Sequence, residues 1–232
     1  MTTEDKILAK AGELFDVCGA TLQADGRTLL ILGLESTPER NLDEFGHKSG
    51  HFVMYGFSAH IAPKLEALVN YIHKKGFSAE PAGRYGYPLE GEANLKNEAI
   101  RAGLGKRGKN TIVLHPKYGH RLRFIGIYTS AALVDKTKTP SHNESENPIC
   151  RNCSICIDSC PIKALEPYRM AKPNECLSNI SPHTTNGHSV LCDKCLILCP
   201  AGKKVRRTRK APVQKTDKLN SVNKTNKSGL QS

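Results

Sequence analysis

Apolar residues recur at helical spacing from Glu4 to Val17, with Ile7, Leu8, Ala11, Leu14 and Phe15 on one face. The pattern then shortens to an apolar run, Thr28 to Leu34, that closes near Pro38 and reads as a buried strand. Phe52 to Phe57 reads as another strand. Ala62 to Lys75 sets Leu65, Leu68, Val69 and Ile72 on one helical face and stops at Gly76. Asn94 to Ala102 predicts a further helix; Thr111 to Leu114 and Arg123 to Tyr128 predict strands, separated by glycines and Pro116. Mixed elements of this kind make residues 1–134 an α/β or α+β domain.

Periodicity fails after that point. Residues 135–148, DKTKTPSHNESENP, hold two prolines and almost no apolar side chain, which predicts a solvated linker. Eight of the nine cysteines follow between Cys150 and Cys199, defining a second unit over residues 149–202. Residues 203–232 are rich in Lys, Asn, Ser and Thr without a repeat, the composition of a disordered tail. The fold class expected is therefore α+β: an α/β domain, a cysteine-rich domain and a basic tail.

A chain of 232 residues can bury a core without disulfides. The mean hydropathy of −0.43 and the short apolar runs predict no transmembrane helix. Met1 to Asp5 is acidic rather than basic and leads into an amphipathic segment, so no secretory signal is read and the cytoplasm is expected. The formal charge is +12, but ten Lys or Arg and only Asp217 among the acids lie after Pro200, leaving about +3 on the first 200 residues. A charged tail, rather than a basic body, is what the composition describes.

The chemistry lies in the cysteines. Cys150-x2-Cys153-x2-Cys156-x3-Cys160-Pro161 is the bacterial-ferredoxin run, whose fourth thiolate is turned by the proline toward a second cluster. Cys176 and then Cys192-x2-Cys195-x3-Cys199-Pro200 repeat the end of that motif, with an earlier cysteine supplying the missing ligand. By reciprocal exchange, Cys150, Cys153, Cys156 and Cys199 hold one [4Fe–4S] cluster, and Cys160, Cys176, Cys192 and Cys195 the other. Tetrahedral zinc also uses CxxC pairs, but needs neither the x2-x2-x3-Pro run nor a reciprocal copy. Disulfides are disfavoured without a secretory signal. Ile155, Ile157, Ile162, Leu196, Ile197 and Leu198, between the ligands, would keep water from the clusters. Cys18, on the first helical pattern, reads as a small buried hydrophobe without a role.

Gly103-Leu104-Gly105-Lys106-Arg107-Gly108 fits GxGxxG, yet a helix precedes it and a strand follows, the reverse of a dinucleotide site, so Gly103 reads as a helix C-cap. Lys106, Arg107 and Lys109 beside it are either a solvated turn or cations that approach an anionic or bulky cofactor. The nine histidines show no metal-helix pairing.

Together, AGLGKRGKNT (Ala102 to Thr111), CRNCSICIDSCP (Cys150 to Pro161), NECLSNIS around Cys176 and LCDKCLILCP (Leu191 to Pro200) resemble the epoxyqueuosine reductases and the related reductive dehalogenases, over roughly Asn94 to Pro200. The resemblance implies a cobalamin-binding N-terminal domain, a ferredoxin-like domain with two [4Fe–4S] clusters, an external electron donor of flavodoxin or ferredoxin type, and reduction of an organic substrate, in the queuosine enzymes a tRNA nucleoside. The chain departs from that pattern in places. Where those enzymes carry a proton-donating aspartate, this chain reads Tyr87-Pro88-Leu89-Glu90-Gly91-Glu92; Glu90 or Glu92 could replace it chemically, but ordinary solvated glutamates are the simpler reading. Ala201 stands where a tryptophan usually follows the last Cys-Pro, and the helical-repeat extension is not found.

Three functions from different classes follow. The first is a cytoplasmic iron–sulfur oxidoreductase whose clusters feed an acceptor, such as cobalamin, in residues 1–134, with a tRNA or small molecule as substrate and no membrane partner. The second is a ferredoxin-like carrier without substrate chemistry. The third is a nucleic-acid-binding protein acting through the tail, which lacks the aromatic interleaving of sequence-specific recognition.

Overall fold

The computed structural model describes residues 1–82, 93–134, 146–185 and 188–201. Helix α1, Thr3–Leu14, begins at a capping box: Asp5 N–H donates to Thr2 Oγ1 (3.1 Å) and Thr2 N–H to Asp5 Oδ2 (2.8 Å). The helix ends three residues before the sequence pattern suggests, because Val17–Leu22 is strand β1, hydrogen-bonded to β2, Thr28–Glu35. Cys18 therefore lies in a strand, opposite Leu32, and burial pushes its thiol up.

The stretch read as a strand over Phe52 to Phe57 is divided. Gly46–Lys48 (β3) pairs with His51–Val53 (β4), and Tyr55–His60 is helix α2, since the chain must turn there to cover the sheet. Helix α3, Ala62–Lys74, follows, then β5, Ala79–Pro81; helix α4, Leu95–Arg101; the hairpin β6, Lys106–Arg107, with β7, Val113–Leu114; and β8, Leu122–Thr129. The main sheet runs β1-β2-β8-β5 and all its pairs are antiparallel. The N-terminal part is thus α+β rather than alternating α/β.

Alternation along β2 explains its unbroken apolar run. Leu30, Leu32 and Leu34 face Ile7 and Ala11 of α1 and Leu65, Leu68 and Ile72 of α3. Leu29 and Ile31 face Leu95 and Ala99 of α4, with Leu104 and Val113. Both faces are covered, and each buried Leu or Ile contributes roughly 1.5–3 kcal/mol of transfer free energy. No described helix is long and apolar enough to cross a membrane.

A Schellman ending turns α4 into the loop. Gly103, at φ +75°, donates its N–H to Ile100 O (3.0 Å), and Leu104 N–H donates to Ala99 O (2.9 Å). The glycine signature is a helix C-cap leading to a hairpin, as the order of elements predicts.

The cysteine-rich part is built from short pieces: a 3-10 turn, Pro148–Cys150; α5, Ile155–Asp158; the hairpin β9, Leu165–Glu166, with β10, Arg169–Met170; α6, Pro173–Ser178; the hairpin β11, Ile180–Thr185, with β12, His188–Leu191; and α7, Lys194–Ile197. Backbone bonds join it to the sheet side: Phe45 and Ser189 exchange both N–H···O bonds at 2.9 Å, and Tyr168 N–H donates to Lys109 O (3.0 Å). Tyr55 stacks on His188 with centroids 3.9 Å apart. Asn110, 2% exposed, donates Nδ2–H to Cys195 O (3.2 Å) and accepts Ile112 N–H on Oδ1 (3.3 Å). Thr111 beside it has φ +65°, unusual for a β-branched residue.

Two expectations follow. Burial works to raise the Glu98 pKa, but Thr21, Arg101 and Gln23 all donate to its carboxylate and hold it below the ordinary 4.5. A depressed folded pKa means stabilisation present above the unfolded value and lost as pH falls through the folded one. Glu98→Gln should therefore lower the melting temperature by about 5 °C near neutrality, with the gap to wild type closing below pH 4.5; a gap constant with pH would refute the charge assignment. In Asn110→Ala, amide exchange read by mass spectrometry over residues 192–200 should accelerate by about tenfold, the loss of one buried hydrogen bond. Unchanged exchange there would show that Asn110 does not brace this turn.

Candidate metal centre

Two turns with the same backbone carry six of the eight clustered cysteines. In the first, Ser154 at φ −122°, ψ 4° leads into α5; in the second, Asp193 at φ −120°, ψ 15° leads into α7. Ser154 O accepts Ile157 N–H (2.8 Å) and Asp193 O accepts Leu196 N–H (2.7 Å). Cys160 N–H then donates to Ile157 O (3.2 Å), and Cys199 N–H to Leu196 O (3.0 Å). The repeated CxxCxxxCP spacing is therefore a repeated structure, and the prolines at 161 and 200 end each copy in the same place.

Side chains from the two turns meet crosswise. Cys199, from the second turn, sits with Cys150 and Leu114, and the same cavity is lined by Cys153, Cys156, Lys109, Asn110, Ile149 and Pro200. Cys160, from the first turn, packs with Ala164 and Leu165, against which Cys176, Cys195, Ile157, Ile162 and Met170 lie. Cys160 Sγ accepts the Ala164 N–H at 3.2 Å. None of the nine cysteines forms a disulfide.

Charge interactions sort the thiols the same way. Burial pushes Cys156 up, and so do Cys199, Cys150 and Cys153; burial likewise pushes Cys176 up, with Cys160 and Cys192. Cys195 is pushed up to about 12, first by burial and then by Cys176, Cys156, Cys192 and Cys160. The Cys156–Cys195 interaction links the two sets where the turns face each other. As thiolates, these groups require positive charge in their midst. Among the described residues no three His, Cys, Asp or Glu stand where a single ion would be held. The first set lines a cavity.

Lys109 is half-buried. Its Nζ donates to Arg151 O (3.2 Å) and lies 3.6 Å from Glu146, at the rim of the first cysteine set. Arg107 donates to Asn97 Oδ1. The sequence reading missed Asn110, although it stands inside the GKNT stretch, and Lys96 of α4. Burial pushes the Lys96 ammonium pKa down, as do Arg107 and Arg123, while Cys176 and Cys195 oppose this. Nothing in the local pattern of α4 marks Lys96, since the helix reaches the cysteines only through tertiary packing. Glu90 and Glu92 lie outside the described residues, as do residues 135–145 of the linker and the tail from 203.

No family model matches the chain. It is 28% identical over 141 residues to tetrachloroethene reductive dehalogenase of Desulfitobacterium hafniense, covering 58% of this chain and 23% of that protein. It is 30% identical over 138 residues to epoxyqueuosine reductase of Francisella cf. novicida (strain Fx1), covering 54% of this chain and 36% of that one. The chain thus spans between about a quarter and a third of these relatives. A crystal structure of epoxyqueuosine reductase with an epoxyqueuosine-modified tRNA stem loop shares the fold at a TM-score of 0.59 and 16% identity, over 87% of this chain and 65% of that one. A reductive dehalogenase structure associated with B12-dependent dehalogenation does so at 0.56 and 14%, over 86% of this chain and 32% of that one. Cysteine order, fold and sequence agree, and the chain is a divergent relative of the epoxyqueuosine reductases and the reductive dehalogenases.

Proposed function

We propose that this protein is a cytoplasmic iron–sulfur oxidoreductase of the epoxyqueuosine-reductase-like group. Residues 149–202 relay electrons, and residues 1–134 hold their acceptor, for which cobalamin is the group the relatives suggest. Cys150, Cys153, Cys156 and Cys199 would hold one [4Fe–4S] cluster; Cys160, Cys176, Cys192 and Cys195 the second. The observation that carries this reading is the duplicated turn, with each copy lending its last cysteine to the other's set. A single metal ion or a disulfide framework gives no reason for that exchange.

Bound there, the clusters would supply one-electron transfer, and the chain's own residues set the conditions for it. Ile157, Ile162 and Met170 exclude water beside the second set, and the Ala164 N–H directed at Cys160 Sγ stabilises negative charge on sulfur. Asn110 holds the Cys195 carbonyl and so fixes the turn carrying that ligand. A modified tRNA is a proposed substrate because the epoxyqueuosine reductase named above was solved with one. The alternative is a carrier that passes electrons to a partner enzyme. It is favoured by the stretch from Tyr87 to Glu92, which has no aspartate where the queuosine enzymes place their acid.

Anaerobic iron and sulfide analysis with EPR, followed by cobalamin titration, tests both. About eight irons per chain are expected. Cys153→Ser and Cys192→Ser should each abolish one cluster's signal and leave the other. A corrinoid that stays bound through gel filtration supports the reductase, whereas eight irons without corrinoid leave the carrier; zinc in place of iron would overturn the cluster reading.

A further inference from the structure

The cavity lined by Cys150, Cys153, Cys156 and Cys199 also takes Lys109 into its wall, and Lys109 is the cation among the described residues that line it. Its side chain is 15% exposed. The Nζ donates to Arg151 O at 3.2 Å, so the ammonium is held beside the loop between Cys150 and Cys153. The wall of the second set is different, since Ala164, Leu165, Ile157, Ile162 and Met170 are all apolar. Lys96, the cation that interacts with Cys176 and Cys195 of that set, comes from α4. The two sets thus draw on separate lysines.

Lys109 does not face the first set unopposed. Glu146 Oε1 lies 3.6 Å from its Nζ and accepts the Tyr168 hydroxyl at 2.7 Å. Tyr168 in turn donates its N–H to Lys109 O (3.0 Å) and is held at φ +62°, a conformation that is costly for an aromatic residue and persists only where its neighbours enforce it. A carboxylate 38% exposed could turn to water, yet this tyrosine keeps it beside the lysine. As a source of stability such a half-exposed pair contributes little. Its stronger effect is on the potential inside the cavity, where a fixed cation and a fixed anion act with opposite sign.

We propose that Lys109 and Glu146 form a charge couple that sets the reduction potential of the first cysteine-bound cluster, Lys109 raising it and Glu146 lowering it, with Tyr168 holding the acid in place. The inference rests on the cluster reading and adds what makes the two clusters different. In the step concerned, one electron passes from a one-electron donor to the iron; no bond forms or breaks and no proton moves. The iron and its four thiolates then carry one more negative charge, which an adjacent ammonium stabilises and an adjacent carboxylate opposes. Lys109 and Glu146 are positioning residues in this sense and not ligands.

The test is a potentiometric titration of the cluster-loaded full chain read by EPR, with Cys192→Ser identifying the first cluster's signal. At the wild-type midpoint, Lys109→Met should lower the reduced-to-oxidised ratio of the first cluster at least threefold, a shift of roughly 30 mV for one electron. Glu146→Gln should raise the same ratio by a comparable factor, and Lys109→Arg should keep it near wild type. The second cluster should not move in any of these variants. Loss of a merely structural contact would move the lysine and acid variants the same way. Shifts of the same sign, no shift, or an equal shift of the second cluster would therefore overturn the couple while leaving the clusters intact. If Lys109→Met does not retain iron, Glu146→Gln, which keeps the lysine and its bond to Arg151, decides alone: a raised first potential supports the couple and any other result refutes it. A wild-type chain that holds no iron would instead overturn the cluster reading, and the proposal with it.

Discussion

A thiolate in a dry interior is stable only beside positive charge, and this fold gathers eight cysteine side chains into two groups, four of them buried and four half-buried. Burial and mutual repulsion raise Cys156, Cys176 and Cys195 together, so no member of either group can be considered alone. The surrounding structure follows from that demand. Each group draws side chains from separate parts of a fifty-residue stretch, which folds back on itself to bring them together. A duplicated turn does this with little sequence: the same dihedrals at Ser154 and Asp193 launch two short helices, and a Cys-Pro closes each.

Helices of four residues cannot hold such an arrangement by their own hydrogen bonds. The rigidity comes from the neighbouring sheet, whose central strand is buried on both faces. It is passed across by a few polar contacts at the GKNT hairpin and by the Phe45–Ser189 exchange. Asn110 matters here because it is almost fully buried and its amide satisfies a carbonyl in the turn that carries Cys195. Holding it there puts a threonine at positive φ, at a cost of the order of 1–3 kcal/mol, which the packing around the hairpin offsets.

Those features differ in how legible they were in the sequence. The β2 run and the α3 face were readable because burial on a sheet or helix leaves a period, and the repeated cysteine turn because its CxxCxxxCP spacing is local. Glu4 to Val17 was read as one helix because Val17 and Cys18 continue the apolar count; the structure ends the helix at Leu14 since β1 gains a full register of bonds to β2. Phe52 to Phe57 contains β-formers, yet the chain must turn at Met54 to bring Phe57 into the core. Asn110 and Lys96 carry no periodic signal at all, because what they do depends on elements about 80 to 100 residues further along.

The placement of charge completes the argument. A formal +12 suggests a body that attracts anions everywhere, but the arginines of the sheet region are paired. Arg40 meets Asp16 at 3.0 Å, Arg121 meets Glu35 at 2.6 Å and Arg123 meets Asp43 at 2.5 Å, so these cations tie the loop around Asp43 to β2 and β8. Pairs of this kind add little stability individually. Around the cysteines, residues 146–201 carry five Lys or Arg against five Asp or Glu, so the excess positive charge of the chain lies elsewhere, above all after Pro200.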